Sequence, residues 1–259
     1  MADPRVLAWF SCGDASAVAA KYAVAEHPST CEVLYCDTSA YEHPDNKRFL
    51  KDVENWLWRS ITVLKSDEYA DIFDVFQKTR WLVGVGGARC TTELKKNVRK
   101  RYQQPDDVHV FGFTVEEGHR IDRFRKENPE LLAWFPLYEA KLTKADCHRI
   151  VREAGIELPA MYRLGYRNNN CIGCVKGGAG YWNKIRRDFP EAFDRMAKME
   201  REIGAAICKR EGRNPDGTRW RKPLYLDELP PNMGRYAAEP DIECGVLCIH
   251  EPAEGASNG

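Results

Sequence analysis

The 259-residue chain contains no run of about 18 consecutive apolar residues, so the sequence predicts no membrane-spanning helix. It carries no excess charge of either sign, since 39 Lys and Arg offset 39 Asp and Glu. That balance argues against a protein holding nucleic acid chiefly by neutralising phosphates. The opening MADPRVLAWFSCGD has one Arg and a five-residue apolar stretch, which is expected to be too short for a signal peptide. No internal repeat or extended low-complexity tract is found. Cys171-Ile172-Gly173-Cys174 has no second C-x-x-C and no suitably spaced His pair beside it, so the common structural-zinc pattern is missing.

Cysteine, by contrast, is plentiful, with ten residues in the chain. Without an export signal, metal ligation or thiol chemistry in the cytoplasm is expected ahead of disulfides. Hydrophobic residues make up 43% and aromatics 11%, enough for a substantial core.

Arg5–Phe10 and Glu32–Cys36 read as short buried strands, Ile61–Leu64 as a third and His109–Phe111 as a fourth. Ala17–Glu26 is Ala-rich and helical. Pro44 opens a helix in which Phe49, Leu50, Val53, Trp56 and Leu57 fall at helical spacing. Strands alternating with helices predict an α/β fold, a Rossmann-like parallel sheet with helices on both faces. Ligands of such sheets lie beyond the carboxyl ends of the strands. Three polar segments leave strand ends there: Ser11–Ser16, Asp37–Ser39 and Gly112–Glu117.

Further on, Thr143-Lys144-Ala145-Asp146 has the form of a capping box opening a helix to about Ala154. A helix from about Trp182 to Ile207 is expected to break at Pro190. From Arg210 on, Gly, Pro and charge dominate, as in a loosely held tail bearing Cys244 and Cys248. The expected organisation is a nucleotide-binding domain over 1–165, a Cys-bearing helical segment over 166–209 and a flexible tail over 210–259.

The Ser11–Ser16 turn lies between a strand and a helix, where backbone N–H groups and the helix dipole favour an anion. Gly13 permits close approach, and Ser11 and Ser16 can donate hydroxyls. Two thiolates at C-x-x-C spacing, Cys171 and Cys174, can chelate a metal, hold two corners of an iron–sulfur cluster or act as a redox dithiol. Cys90 and the tail cysteines are the remaining thiols of interest.

Taken in order, these segments resemble the phosphoadenylyl-sulfate (PAPS) reductase family within the PP-loop, adenine-nucleotide α-hydrolase-like (HUP) group. Ser11-Cys12-Gly13-Asp14-Ala15-Ser16 is similar to its degenerate phosphate loop. Asp37-Thr38-Ser39 with His43-Pro44-Asp45 resembles the segment near the adenosine, and Gly112–Arg120 the nucleotide-contacting loop. Cys90 with Lys95 resembles the C-C-x-x-R-K element. Leu158-Pro159 through Leu164-Gly165-Tyr166 to Cys171-Ile172-Gly173-Cys174 follows the family's P-…-L-x-x-G-Y-…-I-G-C-x-x-C stretch. Glu243-Cys244-Gly245-Val246-Leu247 resembles the tail carrying the nucleophilic cysteine.

The resemblance implies nucleotide contacts from Ser11, Cys12, Gly13, Asp14, Ser16, Asp37, Thr38, Gly112, Thr114 and Glu116. Anion contacts are implied at Arg89, Lys95 and Arg163. It further implies a [4Fe-4S] cluster on Cys90, Cys171 and Cys174, with Cys248, Cys244 or Cys12 as fourth ligand or one iron left open. Cys244 would be the nucleophile.

Four positions depart from the family pattern. Thr91 replaces the second cysteine of an adjacent pair, and Leu247 the tail histidine. Thr114 stands where an arginine is usual. Ala15 replaces the acidic residue of the ATP-cleaving loop, so Mg2+ enters only if ATP is the substrate.

Two activities from different chemistry are therefore expected. One is thiol-dependent reduction of adenylyl sulfate (APS) or PAPS to sulfite, with thioredoxin or glutaredoxin as partner. The other is ATP-dependent thiolation of a tRNA or DNA base, the one reading that brings in nucleic acid. A non-catalytic nucleotide or redox sensor is the third possibility. Plainer roles stand beside these. Cys31, Cys36, Cys147 and Cys208 read as buried core thiols. His43, His119 and His148 read as solvated or capping groups. The basic run from Lys95 to Arg101 reads as the solvated face of a helix. Asp37, Glu116 and Glu117 can cap helices, and Arg163 and Arg167 can pair with phosphate or sulfate.

Overall fold

The computed structural model describes residues 3–84 and 87–242 of the chain. They pack as two compact units, one formed by residues up to Ser66 together with Leu94–Asn169, the other by Asp67–Glu93 together with residues from Asn170 on.

The first unit begins with β1 (Val6–Phe10), α1 (Asp14–Glu26), β2 (Cys31–Cys36), α2 (Asn46–Leu57) and β3 (Ile61–Leu64). The chain then enters the second unit as α3 (Ile72–Thr79), the paired short strands β4 (Val83–Gly84) and β5 (Gly87–Ala88), and α4 (Arg89–Thr91). A π-helical turn at Thr92–Lys96 leads into α5 (Asn97–Tyr102). The first unit is completed by β6 (Val108–Val110), α6 (Gly118–Glu127), β7 (Leu132–Trp134), α7 (Pro136–Glu139), α8 (Lys144–Glu153) and α9 (Ala160–Arg163).

Its sheet is five-stranded and entirely parallel, in the order β3-β2-β1-β6-β7. β1 is buried at every position, as a central strand covered on both faces must be. Val6, Ala8 and Phe10 face one way, onto α1, α2 and α8, where Phe10 meets Phe49 with ring centroids 6.2 Å apart. Leu7 and Trp9 face the other way with Leu34, Cys36 and Phe111, under Val98 of α5 and Ile121 and Phe124 of α6. In α2, Phe49, Val53 and Leu57 recur every four residues and are buried, each contributing about 1.5–3 kcal/mol by leaving water. The capping box at Thr143 forms as the sequence predicts: Asp146 N donates to Thr143 Oγ1 at 3.1 Å, and Thr143 N donates to Asp146 Oδ2 at 3.0 Å.

The strand order places a reversal between β1 and β6. From β1 the chain builds outward through β2 and β3, and it later returns on the other side as β6 and β7. In parallel sheets such a reversal, beyond the carboxyl ends of the strands, is where ligands are held.

The second unit continues with α10 (Ala179–Asp188) and α11 (Pro190–Ile203), separated at Phe189-Pro190, and then β8 (Cys208–Arg213) and β9 (Arg219–Leu224). The last pair adds regular secondary structure where the sequence reads a loosely held tail from Arg210. It is an antiparallel hairpin closed at Asn214–Gly217, where Gly217 adopts φ 85° and its N–H donates to Asn214 O at 2.9 Å. Both strands are mostly exposed, so no hydrophobic alternation announces them. The basic run is a second correction. Lys96 and Arg99 are buried, so this is not a wholly solvated face. Cys31, Cys36, Cys147 and Cys208 are buried as expected, with their thiols pushed up to about 11, 11, 12 and 12 by desolvation. No helix among the described residues is long and apolar enough to cross a membrane.

Candidate functional site

α1 starts at Asp14, earlier than the sequence pattern suggests, so the turn after β1 shrinks to Ser11-Cys12-Gly13. Cys12 takes a left-handed backbone, φ 55°, a conformation that costs a non-glycine residue roughly 1–2 kcal/mol. Gly13 is the N-cap and offers no side chain to the first-turn N–H groups of a 13-residue helix, which leaves the positive helix end open to an anion. The hydroxyls are arranged around this turn. Ser11 N donates to Ser16 Oγ at 3.0 Å, Ser11 Oγ to the same oxygen at 3.1 Å, and Ser16 Oγ to Gly13 O at 2.8 Å. Gly112, just beyond β6, has a steric reason to be glycine: a Cβ there would lie 2.7 Å from the Ala15 carbonyl carbon and oxygen.

Asp14, expected at the nucleotide, is almost wholly buried at 1% exposure. Tyr162 Oη donates to its Oδ1 at 2.5 Å, and His148 Nε2 lies 3.2 Å from Oδ2, within ion-pair range but without hydrogen-bond alignment. Burial, followed by the Asp14 charge, pushes the Tyr162 hydroxyl well up, so it stays a donor. His148 therefore faces a buried carboxylate instead of solvent or a helix end. Neither partner is recognisable from spacing, because 148 residues separate Tyr162 from Asp14.

A second buried network joins the ends of β1 and β2. Glu42 accepts from Thr38 Oγ1 at 2.6 Å, Tyr35 Oη at 2.9 Å and Asn46 Nδ2 at 2.7 Å. Asn169 Nδ2 donates to Asn46 Oδ1 at 2.8 Å and to Cys12 O at 2.6 Å. Thr38 is thus held by Glu42, and Asn169 pins the strained Cys12. No sequence pattern marks Asn169 for this role, since 157 residues separate it from Cys12. Cys12 is a core thiol pushed well up by burial and by Glu42, with Lys95 opposing, so it is protonated and a poor nucleophile.

Asp37 accepts from Ser39 N at 3.0 Å and Ser39 Oγ at 2.6 Å, and Lys65 Nζ stands 3.4 Å away. Burial raises its carboxyl, but Ser39 and Lys65 together hold it below the usual range. Thr114 and Glu117 form a reciprocal cap, and Glu116 Oε2 accepts from Lys144 N at the start of α8 at 3.0 Å. The loop after β6 is therefore shaped by its own side chains. Among the expected anion contacts, Arg163 lies 3.5 Å from Asp45 and is also ion-paired with Glu157. Arg89, in the second unit, pairs with Glu93 at 2.8 Å. Lys95 exerts its charge on both Cys12 and Cys36, at the ends of β1 and β2.

Cys90, Cys171 and Cys174 all belong to the second unit. Cys90 is in α4 and half-buried, as is Cys171, while Cys174 is buried. The C-x-x-C loop curls around the Tyr181 hydroxyl, which receives Gly173 N at 3.1 Å and Cys174 N at 2.9 Å and donates to Cys171 O at 3.2 Å. Gly173 turns the loop at φ 75°. Glu239 caps α10 next to this loop, accepting Gly180 N at 2.5 Å and Tyr181 N at 3.1 Å. Asn170 Nδ2 donates to Ile242 O at 3.1 Å, so the last described residue is tied beside Cys171. Among the described residues no group of three or more His, Cys, Asp or Glu is arranged to hold a metal ion. Cys244 and Cys248 lie outside the described residues. No protein-family model matches the chain, and no curated protein matches it.

Proposed function

We propose that the protein is a PAPS reductase-like iron–sulfur enzyme of the PP-loop type, reducing an adenylyl sulfonucleotide, APS or PAPS, to sulfite. The observation that carries this reading is the uncapped N-terminus of α1, with Ser11, Gly13 and Ser16 around it, at the reversal point of a parallel sheet. An adenine nucleotide there would meet Ser11, Gly13 and Ser16 and the backbone of the buried Cys12 and Asp14, with Asp37, Thr38, Gly112, Thr114 and Glu116 shaping the neighbouring loops.

The Cys244 thiolate attacks the sulfate sulfur, forming an S–S bond as the S–O bond to the nucleotide breaks, and AMP or its 3′-phosphate departs with the electron pair. An external dithiol such as thioredoxin or glutaredoxin then releases sulfite from the enzyme S-sulfocysteine and is itself oxidised to a disulfide. Cys90, Cys171 and Cys174 are chemically suited to three corners of a [4Fe-4S] cluster, with the fourth thiolate coming from Cys244 or Cys248 or one iron left open; Cys12, a buried and protonated thiol, is not suited to it. The described residues do not by themselves form a closed metal site.

Sulfite release from labelled APS or PAPS by anaerobic protein with thioredoxin tests the proposal. Cys244→Ser is expected to abolish turnover and keep nucleotide affinity, and an active Ser variant refutes the assignment.

One observation favours a second reading, ATP-dependent thiolation of a nucleobase in tRNA or DNA. Arg89 and Arg163 are both ion-paired with carboxylates, which weakens the cationic cradle that a sulfonucleotide needs. In that chemistry ATP adenylates a base carbonyl oxygen with loss of pyrophosphate, and sulfide then displaces AMP. ATP-dependent incorporation of labelled sulfide into RNA or DNA, without sulfite release, selects it.

A further inference from the structure

The basic run at Lys95–Arg101 hides an uncompensated charge. Arg99, in α5, is 2% exposed, yet its Nε and Nη1 have no hydrogen-bond partner among the described residues. Among the described residues, the carboxylate that acts on it is Glu130, and it does so only through space. A buried guanidinium without a counter-ion is among the least favourable arrangements in a protein interior.

A second unsatisfied donor faces the same layer. His109 is fully buried in β6, stacked at 6.0 Å on Trp9 and 6.1 Å on Phe111. Its Nδ1 accepts the Trp9 indole N–H at 3.0 Å, so the neutral ring carries its proton on Nε2, which has no partner among the described residues. Desolvation, followed by the Arg99 charge, pushes this imidazole down to about 4, which keeps it neutral. Trp9, Cys36 and Val98 share this face of the sheet with Phe111. Lys95, one helical turn before Arg99, acts on the thiols of Cys12 and Cys36 at the strand ends.

Several groups surround the pair without neutralising it. Asp107 is joined to Arg5 at 2.7 Å, and the Cys36 thiol, pushed up to about 11 by burial, is uncharged. Gln103 Oε1 is a buried acceptor without a donor, one turn beyond Arg99, but a neutral amide would leave the charge uncompensated.

We propose that Arg99 and His109 form the inner wall of an oxyanion site, with Lys95 toward the strand ends, and that a sulfate-, sulfite- or phosphate-type group completes it. The Arg99 fork and the His109 Nε2–H supply donors only, which suits an acceptor-only ligand. The group can be a free inorganic anion or one carried on a nucleotide. The site does not depend on the reductase reading, because it is defined by these donors and not by the adenosine.

The test is thermal unfolding of the full chain at constant ionic strength against sodium sulfate, sodium phosphate, AMP and adenylyl sulfate. A parallel experiment follows the His109 Nε2–H signal by NMR. Wild type is expected to show a saturable rise in Tm, roughly 5 °C or more at a hundredfold excess over Kd, with a shift of the imidazole signal. The linear salting-out effect of sulfate is common to wild type and Arg99→Met, and only wild type should show the saturable part. Arg99→Met should also melt no lower than wild type in anion-free buffer, because it removes an uncompensated charge.

Saturation by inorganic sulfate or phosphate identifies a free anion, and saturation by adenylyl sulfate but not AMP identifies a carried one. Either result supports the site. Sulfate saturation without any nucleotide binding upholds the site while refuting the nucleotide reading. Absence of a saturable response to any of these anions in wild type overturns the proposal, as does an identical response in Arg99→Met. If Arg99→Met fails to fold, the wild-type imidazole signal decides: unmoved by all the ligands, it overturns the proposal.

Discussion

Gly13 and Gly112 border the same turn, and the structure assigns them different reasons for being glycine. A Cβ on Gly112 would stand 2.7 Å from both the carbon and the oxygen of the Ala15 carbonyl and 2.8 Å from Ser16 Cα. These are backbone atoms of the first turn of α1, which cannot swing aside as a side chain would. Gly112→Ala therefore forces the loop after β6 away from α1, an overpacking expected to cost about 1–3 kcal/mol, or roughly 2–12 °C in Tm for a chain of this size. A Cβ on Gly13 meets nothing closer than Tyr162 Oη at 3.5 Å, and the residue has an ordinary φ of −101°. Gly13→Ala should thus change stability by less than about 1 kcal/mol. The methyl would nevertheless crowd the approach to the helix N-terminus, where the proposed nucleotide phosphate makes its backbone contacts. The two variants are to be compared by thermal unfolding and by equilibrium binding of APS, PAPS and ATP. Gly112→Ala should melt lower, whereas Gly13→Ala should fold normally and lose most nucleotide affinity. Equal Tm values for the two variants, or full nucleotide affinity in Gly13→Ala, would refute the reasoning.

Further consequences can be checked separately. Tyr162→Phe removes the donor to the buried Asp14 carboxylate and should destabilise the fold by about 1–3 kcal/mol in denaturant titration; a change under about 0.5 kcal/mol contradicts the buried pairing. Glu200 is buried, and desolvation pushes its carboxyl from 4.5 up to about 7 although Ile207 N and Leu226 N donate to it. A raised carboxyl pKa contributes stability that is complete below the unfolded value and is lost as pH rises through about 7. Glu200→Gln should flatten stability between those limits, by an amount on the order of 3 kcal/mol; an unchanged pH profile sinks the assignment. Cys31, Cys36, Cys147 and Cys208 should resist alkylation at neutral pH until the protein is denatured, as read by mass spectrometry. Rapid modification of these thiols in the native protein would show that they are not core residues.

The features legible in the sequence were local ones. β1 and β2 are short apolar runs, Phe49, Val53 and Leu57 repeat at helical spacing, and the Thr143–Asp146 box uses only four consecutive residues. The hairpin at 208–224 escaped because its strands are charged and exposed. Its one signal was the turn sequence Asn214-Pro215-Asp216-Gly217, whose Asp216 carboxylate accepts Thr218 N at 2.9 Å. The site was half legible. Ser11, Gly13, Ser16 and Gly112 could be placed because they leave adjacent strand ends. Tyr162 on Asp14 and Asn169 on Cys12 could not, because chain separations of 148 and 157 residues leave no spacing to read. Arg99 was misjudged for a related reason. Its neighbours Lys100 and Arg101 are exposed, and only the packing of α5 on the sheet turns Arg99 inward.

Iron and acid-labile sulfide, measured on anaerobically purified full-length chain, test the central claim most directly. The account predicts [4Fe-4S] stoichiometry with broad visible absorption, lost in a soluble Cys171→Ala variant. A colourless, zinc-loaded or metal-free anaerobic preparation would contradict it.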